Sequence, residues 1–326
     1  MRKIIHIILF TVFTVLSCSA TEEKVFFEIK NFRKFIAHEN RVYSLAIFPD
    51  GMKIVTCGQD GKVKIWDTTT LRQVNSLEIQ TDSIWSVDID SSGEKILRGC
   101  GDGSVKVWNA LDYSILFADD IHDGAVFSVN FLNNSKNFFT AGKDGVIRYW
   151  DGEKFKVINQ ITVLDEVVMA MAVSKDNKVL CAGYSNGDVK IFLIDTLELL
   201  TKFNIGEETS VYAVDISSDN KTIAVCGDDG KVTICNVEDG IVTKTMDSYA
   251  LSINSIKFLY ENKYCITGDS DGKINIWKLN NGKKVFEIDT QKSIYEIELS
   301  YDEKTVAISG DKGNIILFNL YGKVIK

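Results

Sequence analysis

A period of about 42 residues runs through almost the whole chain. Tight-turn dipeptides mark it, and their glycines are separated by 42, 42, 42, 43, 42 and 41 residues. The dipeptides are Asp60-Gly61, Asp102-Gly103, Asp144-Gly145, Asn186-Gly187, Asp229-Gly230, Asp271-Gly272 and Lys312-Gly313. Such repetition is typical of units that bury their apolar faces only against their neighbours. The period therefore predicts one ring of seven units, although 326 residues would otherwise suggest two domains.

One unit, residues 38–79, shows what each repeat forms. Residues 42–48 are rich in β-formers and precede the turn Pro49-Asp50-Gly51, and a second apolar segment follows at 53–58. Asp60-Gly61 favours a two-residue hairpin, because that turn needs positive φ. The next segment alternates polar and apolar residues, as a half-buried strand does, and a fourth strand follows near 73–79. Four short antiparallel strands, repeated in a ring, predict an all-β propeller.

Four segments carry a more specific resemblance. They are VTCGQDGKVKIWD at 55–67, RGCGDGSVKVWN at 98–109, TAGKDGVIRYWD at 140–151 and TGDSDGKINIWK at 267–278. These segments resemble the WD-repeat (WD40) family, and the likeness covers about residues 31–326. The resemblance implies a seven-bladed propeller with four antiparallel strands in each blade.

The same resemblance implies a hydrogen-bonded tetrad in each blade, formed by His, Ser or Thr, Asp and Trp. Buried polar groups of these types must each find a partner. Blades 1 and 3 have complete sets: His38, Thr56, Asp60 and Trp66, and His122, Thr140, Asp144 and Trp150. Blades 4, 5 and 6 depart from the pattern, and we expect packing alone to hold them. In blade 2, Arg98 stands in the hydroxyl position, where we expect it to pair with Asp102; the less favoured alternative is that Arg98 binds a ligand.

Residues 1–20 have the layout of a signal peptide. Arg2 and Lys3 precede an apolar run over 4–16, which is too short to span a bilayer comfortably. Cleavage after Ala20 would give a periplasmic or secreted protein, whereas a lipobox-like segment at 15–18 would leave Cys18 as a lipidated first residue. An uncleaved anchor is a further alternative. We expect export to the cell envelope, with lipidation of Cys18 favoured.

The register also predicts how the ring closes. Asn31–Ala37 aligns with the fourth strand of blade 1, so it should complete the last blade beside three strands from 293–319. Closure of this kind removes a free sheet edge. Residues 21–30 would then be a tether to the propeller at 31–326. Alternatively, Val25-Phe26-Phe27 could pair as an extra strand.

One column of the repeat is a candidate binding site. It lies at the start of each innermost strand, at the mouth of the central channel, and an apolar concave rim there could anchor a partner. In the resembled family, similar positions often hold a peptide side chain; alternatively, these residues pack only on one another. Arg41, Gln59, Lys143 and Asp228 lie near the same face. The column holds Tyr43, Trp85, Phe127, Met169, Tyr212, Asn254 and Tyr295.

Composition narrows the function further. The net charge is −8, which argues against nucleic-acid binding. Of three histidines, His38 and His122 are assigned to tetrads and His6 to the leader, so we expect no metal site, catalytic triad or cofactor. We expect a non-enzymatic scaffold that binds a protein or peptide at the channel mouth. The alternatives are an envelope assembly or trafficking factor docking a membrane complex and, less favoured, a propeller enzyme acting on glycans.

Overall fold

The computed structural model describes residues 24–79 and 82–325, which form 28 strands and one short 3-10 turn, Asp311–Gly313. The first thirteen strands are β1 (Lys24–Ile36), β2 (Val42–Ile47), β3 (Lys53–Gly58), β4 (Lys62–Asp67), β5 (Gln73–Ile79), β6 (Ile84–Ile89), β7 (Lys95–Cys100), β8 (Ser104–Asn109), β9 (Ile115–Asp120), β10 (Val126–Phe131), β11 (Phe138–Gly142), β12 (Val146–Asp151) and β13 (Lys156–Thr162).

The remaining strands continue the same pattern to the end of the described chain. They are β14 (Val168–Val173), β15 (Val179–Tyr184), β16 (Asp188–Leu193), β17 (Leu199–Asn204), β18 (Val211–Ile216), β19 (Thr222–Gly227), β20 (Lys231–Asn236), β21 (Val242–Asp247), β22 (Ile253–Leu259), β23 (Tyr264–Asp269), β24 (Lys273–Lys278), β25 (Lys283–Asp289), β26 (Ile294–Leu299), β27 (Thr305–Gly310) and β28 (Asn314–Ile325).

These strands form seven antiparallel sheets of four strands each. Blades 1 to 6 take consecutive strands, from β2–β5 through β22–β25, and blade 7 has the order β1-β28-β27-β26. The predicted all-β, seven-bladed propeller is therefore confirmed. The apolar core lies between adjacent blades: one cluster joins Val63 and Ile65 of blade 1 to Val87 and Trp108 of blade 2, and equivalent clusters follow around the ring.

Ring closure uses the N-terminal strand, as predicted, but the strand is longer than expected. Ile36 pairs with Asn314, and after a bulge at Asn31 and Phe32 the pairing continues to Lys24 with Ile325. The tether prediction was wrong for residues 24–30, which follow the extra-strand alternative, while residues 21–23 lie outside the described chain. The cause is a tertiary contact: the Phe27 ring packs 5.6 Å and 5.2 Å from the rings of Tyr260 and Tyr264 in blade 6.

Each inner strand carries a bulge at the same position. In blade 1, Val42 pairs with Gly58 and Ser44 with Cys57, so that Tyr43 falls in the irregular step. The same shift recurs in the inner strands of the other six blades. Bulges bend a strand and redirect a side chain. This repeated bulge places one residue from every blade at the channel mouth.

Candidate partner-binding site

The mouth of the channel carries a continuous row of aromatic rings. Tyr43 stacks on Trp85 with ring centroids 4.3 Å apart, and it meets Tyr295 edge-on at 5.6 Å. Trp85 in turn meets Phe127 edge-on at 5.4 Å. Stacked and edge-to-face contacts are the favoured aromatic geometries. The row therefore runs across four neighbouring blades, 7, 1, 2 and 3, and its rings are half-buried.

The other three blades complete the rim differently. Met169 is half-buried, Tyr212 is 37% exposed, and Asn254 donates a hydrogen bond of 2.7 Å to the carbonyl oxygen of Ile294. The six predicted apolar residues, four of which form the aromatic row, surround one opening. Four of them are in ring contact, and Met169 and Tyr212 extend the rim through blades 4 and 5.

Two cations predicted near the mouth have different surroundings. The Arg41 guanidinium lies over the Tyr295 ring, 5.8 Å from its centroid, and its Nε is 3.2 Å from Asp311 Oδ1. The Tyr295 hydroxyl donates to the same carboxylate at 3.0 Å. Lys143 is exposed on the turn of blade 3. Arg41 is thus held at one end of the aromatic row.

Below the mouth, the channel is a cavity of about 730 Å³. Three acidic residues, Asp88, Glu296 and Glu298, and two lysines, Lys175 and Lys257, line it, and the carboxyl group of Asp215 lies close to Lys257. Lys257 and Glu298 form an ion pair of 2.6 Å. Asp88 accepts hydrogen bonds from the backbone N–H groups of Phe131 and Ile89, and Asp215 accepts one from Phe258. The fourth carboxyl belongs to Glu296, so the channel wall has an excess of acidic groups.

Burial changes the protonation of these groups. It raises the pKa of Asp88 and of Glu296 to about 7, and the pKa of Asp215 to about 6. Burial disfavours the charged form of a carboxyl, and the neighbouring Glu298 acts in the same direction. For Lys257, burial alone would lower the pKa, but Glu298 and Asp215 raise it. Lys257 is therefore charged at neutral pH, whereas several carboxyl groups titrate near neutrality.

Side-chain oxygens on the inner strands also join each blade to the next. Ser44, Ser86, Ser128 and Ser255 accept hydrogen bonds from the backbone N–H groups of Val87, Val129, Met171 and Ile297, at 2.9 to 3.2 Å. Glu296 plays this part between blades 7 and 1, where it accepts from Leu45 N–H at 2.8 Å. Blades 4 and 5 have Ala170 and Ala213 at the same position. We call these bonds the inter-blade latches.

The tetrad of blade 1 is assembled around a buried hydroxyl. His38 Nε2 lies 2.8 Å from Thr56 Oγ1, and His38 Nδ1 lies 2.8 Å from Asp60 Oδ1. The Trp66 indole N–H donates to Thr56 Oγ1 at 3.0 Å. Burial lowers the pKa of His38. The imidazole is thereby kept neutral between a hydroxyl and a carboxylate.

Blade 3 repeats this arrangement and adds a cation. His122 lies 2.8 Å from Thr140 Oγ1 and 3.0 Å from Asp144 Oδ1, and the Trp150 N–H donates to Thr140 at 3.0 Å. Arg148 donates to Asp144 Oδ2 at 2.9 Å. Burial alone would raise the pKa of Asp144, but its bonds to His122 and Arg148 lower it well below its usual range. The eight predicted tetrad residues thus lie in two closed networks.

A family model described as "WD domain, G-beta repeat" matches this chain at residues 29–67, 71–109, 117–151, 198–236 and 240–278, which is more than half of it. The chain belongs to the WD40 family. The matched segments include both complete tetrads, and the propeller has two further blades beyond the five matches.

Curated relatives share only part of this WD40 chain. Eukaryotic translation initiation factor 3 subunit I of Kluyveromyces lactis is 26% identical over 120 residues, 35% of each chain. Human cilia- and flagella-associated protein 52 is 23% identical over 37% of this chain and 20% of its own length. Ribosome biogenesis protein ERB1 of Chaetomium thermophilum is 46% identical over 48 residues, 15% of this chain and 6% of its own. The chain spans about a third or less of these relatives' length.

The WD40 blades without a complete tetrad do not all depend on packing alone. In blade 6, the Trp277 N–H donates to Thr267 Oγ1 at 3.0 Å, and Asn275 donates to Asp269 at 3.2 Å. Blade 4 has an ion pair of 2.6 Å between Lys190 and Glu166. The expectation was therefore wrong for blades 4 and 6. Buried polar groups there form substitute contacts because an unpaired one is costly.

Arg98 of blade 2 follows a related pattern. The side chain is fully buried, and it donates to the carbonyl and hydroxyl oxygens of Ser104 at 2.9 and 2.5 Å. The Ser104 hydroxyl in turn donates to Asp102 at 2.6 Å. Ser104 therefore bridges Arg98 and Asp102, and nothing in the repeat pattern predicts this serine.

Asp88, Asp215, Glu298 and Asp311 were not predicted from the sequence, whereas Glu296 stands out there because the other residues of its column are serines and alanines. Asp88, Asp215 and Glu298 occupy the same position of the repeat, two residues after the latch position. Aligning the repeats at this position, as for the mouth residues, is the sequence signal that would have identified them. Within the described chain, no group of three or more His, Cys, Asp or Glu side chains could hold a metal ion. No helix in residues 24–79 and 82–325 is long and apolar enough to cross a membrane. Cys18 and the leader lie outside the described residues.

Proposed function

We propose that this WD40 propeller is a non-enzymatic scaffold that binds a protein or peptide through its channel mouth. The aromatic row of Tyr295, Tyr43, Trp85 and Phe127 carries the proposal. Half-buried rings beside a cavity offer large apolar area at little cost in side-chain entropy, which is why such residues dominate binding energy at interfaces. Contacts of the rings with one another hold the surface in shape before a partner arrives.

The exposed apolar residues of the loops around the mouth support the same proposal. Leu164, Tyr249 and Leu251 are 80%, 89% and 83% exposed, and all three lie in loops that lead into inner strands. Tyr249 and Leu251 lie two residues apart before β22, and Leu164 lies before β14, so they add exposed apolar area on the face of the propeller that carries the mouth. His38 and His122 are held inside tetrads and do not face the mouth. The side chains that do face it are aromatic rings and charged groups, which are suited to binding.

A binding test follows from the rim geometry. Peptides selected on the wild-type protein from a displayed library should lose at least tenfold in affinity on a Tyr43→Ala, Trp85→Ala, Phe127→Ala triple variant, because each ring contributes buried apolar area. Titration calorimetry with resynthesised peptides measures the loss. Tyr301→Ala is the matched control, since Tyr301 is 87% exposed in the turn between β26 and β27, where it lines the far end of the channel on the face opposite the mouth.

Two results would overturn this proposal. One is a library that yields no peptide binding the wild-type protein. The other is unchanged affinity for the triple variant, with the Tyr301→Ala variant weakened instead. Thermal unfolding of each variant shows whether the propeller is still folded, so a loss of binding can be assigned to the mouth.

We further propose that residues 1–20 direct export and that Cys18 becomes a lipid anchor. Strand β1 ends at Ile36, beside the mouth-face loop that contains His38, so it begins on the opposite side, where Phe27 contacts Tyr260. Six residue steps from Cys18 to Lys24 reach at most about 20 Å. An anchored propeller would thus turn its mouth away from the membrane.

The anchor can be tested separately from binding. In a bacterial host, the wild-type chain should partition into detergent and incorporate labelled fatty acid, whereas Cys18→Ala should do neither. Partition of both proteins into the aqueous phase, with cleavage after Ala20, would instead indicate ordinary secretion. The orientation is tested by labelling a cysteine introduced at Lys143 or at Asp302 in intact vesicles.

A further inference from the structure

One end of the aromatic row already holds a cation. Arg41 lies over the Tyr295 ring and pairs with Asp311, and 53% of its side chain is exposed. A guanidinium over an aromatic face is a favourable contact, but an ion pair this exposed contributes little to stability. Arg41 therefore occupies a cation-binding position from which it can be displaced at small cost.

The surface around the mouth is acidic. In the described loops that enter the inner strands and in the turns between second and third strands, nine exposed side chains are acidic and three are basic. The basic ones are Arg41, Lys143 and Lys312. The acidic ones are Glu39, Asp82, Asp102, Asp123, Asp165, Glu207, Glu208, Asp228 and Asp271.

The cavity below the mouth has the same sign. Its lining includes the acidic residues Asp88, Glu296 and Glu298 and the lysines Lys257 and Lys175. Asp215 adds a fourth carboxyl group beside Lys257, and Lys257 is already paired with Glu298. Complementary charge steers a partner and selects among partners. Acidic loops, an acidic channel and an aromatic rim therefore all favour the same kind of side chain, with an apolar stem and a positive head.

We propose that the mouth takes an arginine or lysine side chain from a basic segment of another protein, and that Arg41 holds that place in the free chain. The inference rests on the proposed function, since it names the partner for the same mouth. The aliphatic stem of the entering residue would pack on Tyr43 and Tyr295. Its charged head would meet Asp311 at the rim or the carboxyl groups of the channel.

The first experiment asks which peptides bind. A displayed library that spans net charges from about −4 to +4 is selected on the wild-type protein, and the strongest peptide is resynthesised with each Arg or Lys replaced by citrulline or acetyl-lysine. We expect basic peptides to be enriched, and we expect one replacement to weaken binding at least tenfold, as a desolvated charged contact requires. Raising the salt from 50 to 500 mM should weaken binding as well.

Three outcomes of this experiment are informative. Selection of acidic or neutral peptides that depend on Tyr43 and Trp85 would overturn the inference and leave the proposed function standing. Basic peptides that bind equally well to a Tyr43→Ala, Trp85→Ala variant would show diffuse electrostatic attraction and also overturn it. A failure to select any peptide would contradict the proposed function itself.

The second experiment tests the displacement of Arg41. Arg41→Ala removes a competing cation and should tighten binding of the selected basic peptide by about threefold or more, the scale of an exposed cation–aromatic contact. Lys143→Ala makes the same change in net charge on the same face but removes no stacked cation. Equal effects of the two variants, or weaker binding by Arg41→Ala, would show that Arg41 is not a placeholder.

Discussion

The carboxylates of the tetrads and those of the channel are both buried, but their protonation differs. In the tetrads, His38 lowers the pKa of Asp60, although burial alone would raise it, and Asp144 is shifted further because Arg148 is added to His122. In the channel, burial raises the pKa of Asp88 and of Glu296 to about 7, although each accepts at least one backbone N–H. Burial therefore raises a carboxyl pKa unless a cation or several donors face the group.

This difference separates two ways of holding the ring together. The tetrads fix the loop and the hairpin of one blade to each other through a carboxylate, an imidazole, a hydroxyl and an indole that are hydrogen-bonded in series. The channel latches join one blade to the next with serine hydroxyls, and at the closing seam with the Glu296 carboxyl. The tetrads should therefore tolerate a loss of charge poorly, whereas the channel should tolerate it well.

The largest effect is expected in the tetrad of blade 3. Asp144→Asn removes the charge that faces Arg148 and His122, and it should lower the free energy of unfolding by about 3 kcal/mol at pH 7, because a half-buried cation loses its counter-ion. Urea unfolding measures this change. Hydrogen exchange of β11 and β12 should show that the loosening begins in blade 3.

Asp271→Asn is the matched control for this prediction. Asp271 stands at the same turn position in blade 6, but it is exposed, and Tyr249, which replaces the histidine there, is 89% exposed. The change should cost less than about 0.5 kcal/mol. Equal losses from the two substitutions would mean that the turn, and not the tetrad, supplies the stability.

Much of the fold could be predicted because the seven turn dipeptides that end in glycine fix the register of every blade. Once the register is known, aligning Asn31–Ala37 with the fourth strand of blade 1 is enough to place the strand that closes the ring. The length of that strand could not be predicted in the same way, because the part that pairs with the end of β28, Lys24–Lys30, is also packed through Phe27 on Tyr260 and Tyr264 of another blade. Such contacts between distant residues leave no periodic signal.

The candidate site shows the same division. The register of the repeat alone predicts that Tyr43, Trp85 and Tyr295 lie at one rim. Their stacked and edge-on geometry, and the contact between Arg41 and Asp311 across 270 positions of sequence, depend on how blades 7 and 1 approach each other. Single-residue substitutes such as Ser104 and Lys190 are harder still to predict, because each meets a need that exists in one blade only.

The second-largest effect is expected in the pH dependence of stability, which should differ between the channel carboxyl groups and the tetrads. The pKa of Glu296 is raised from 4.5 to about 7, so its contribution to stability is fully present below the ordinary value and is lost as pH rises through 7. Glu296→Gln cannot ionise. As the pH rises from 5 to 8, the free energy of unfolding of the variant should therefore increase by about 2 kcal/mol relative to that of the wild type.

Comparing the two proteins at each pH removes the contribution of the buried histidines, because both proteins contain them. Asp302→Asn is a useful control, since a hydrogen bond from the Ser300 hydroxyl lowers the pKa of Asp302 and the group stays ionised over this range. Its difference from the wild type should not change between pH 5 and pH 8. If the difference in free energy of unfolding between Glu296→Gln and the wild type does not change with pH, the channel must solvate this carboxyl group as well as bulk water does.

The smallest effect concerns the inter-blade latches, where the chain offers a natural contrast. Ser255 accepts a 2.9 Å hydrogen bond from Ile297 N–H, whereas the same position in blade 5 is Ala213. Ser255→Ala should cost about 1 kcal/mol, since a buried N–H loses its partner. Ala213→Ser should stabilise by about 0.5 kcal/mol if its hydroxyl can accept from Ile256 N–H.

Chemical unfolding of the two single variants and the double variant measures both changes, and the effects should add, because the two latches join different pairs of blades. If Ser255→Ala costs nothing, the backbone N–H of Ile297 must find water in the channel. The latches would then set the register between blades without adding stability, and the tetrads and the apolar clusters between blades would supply the stability of the ring.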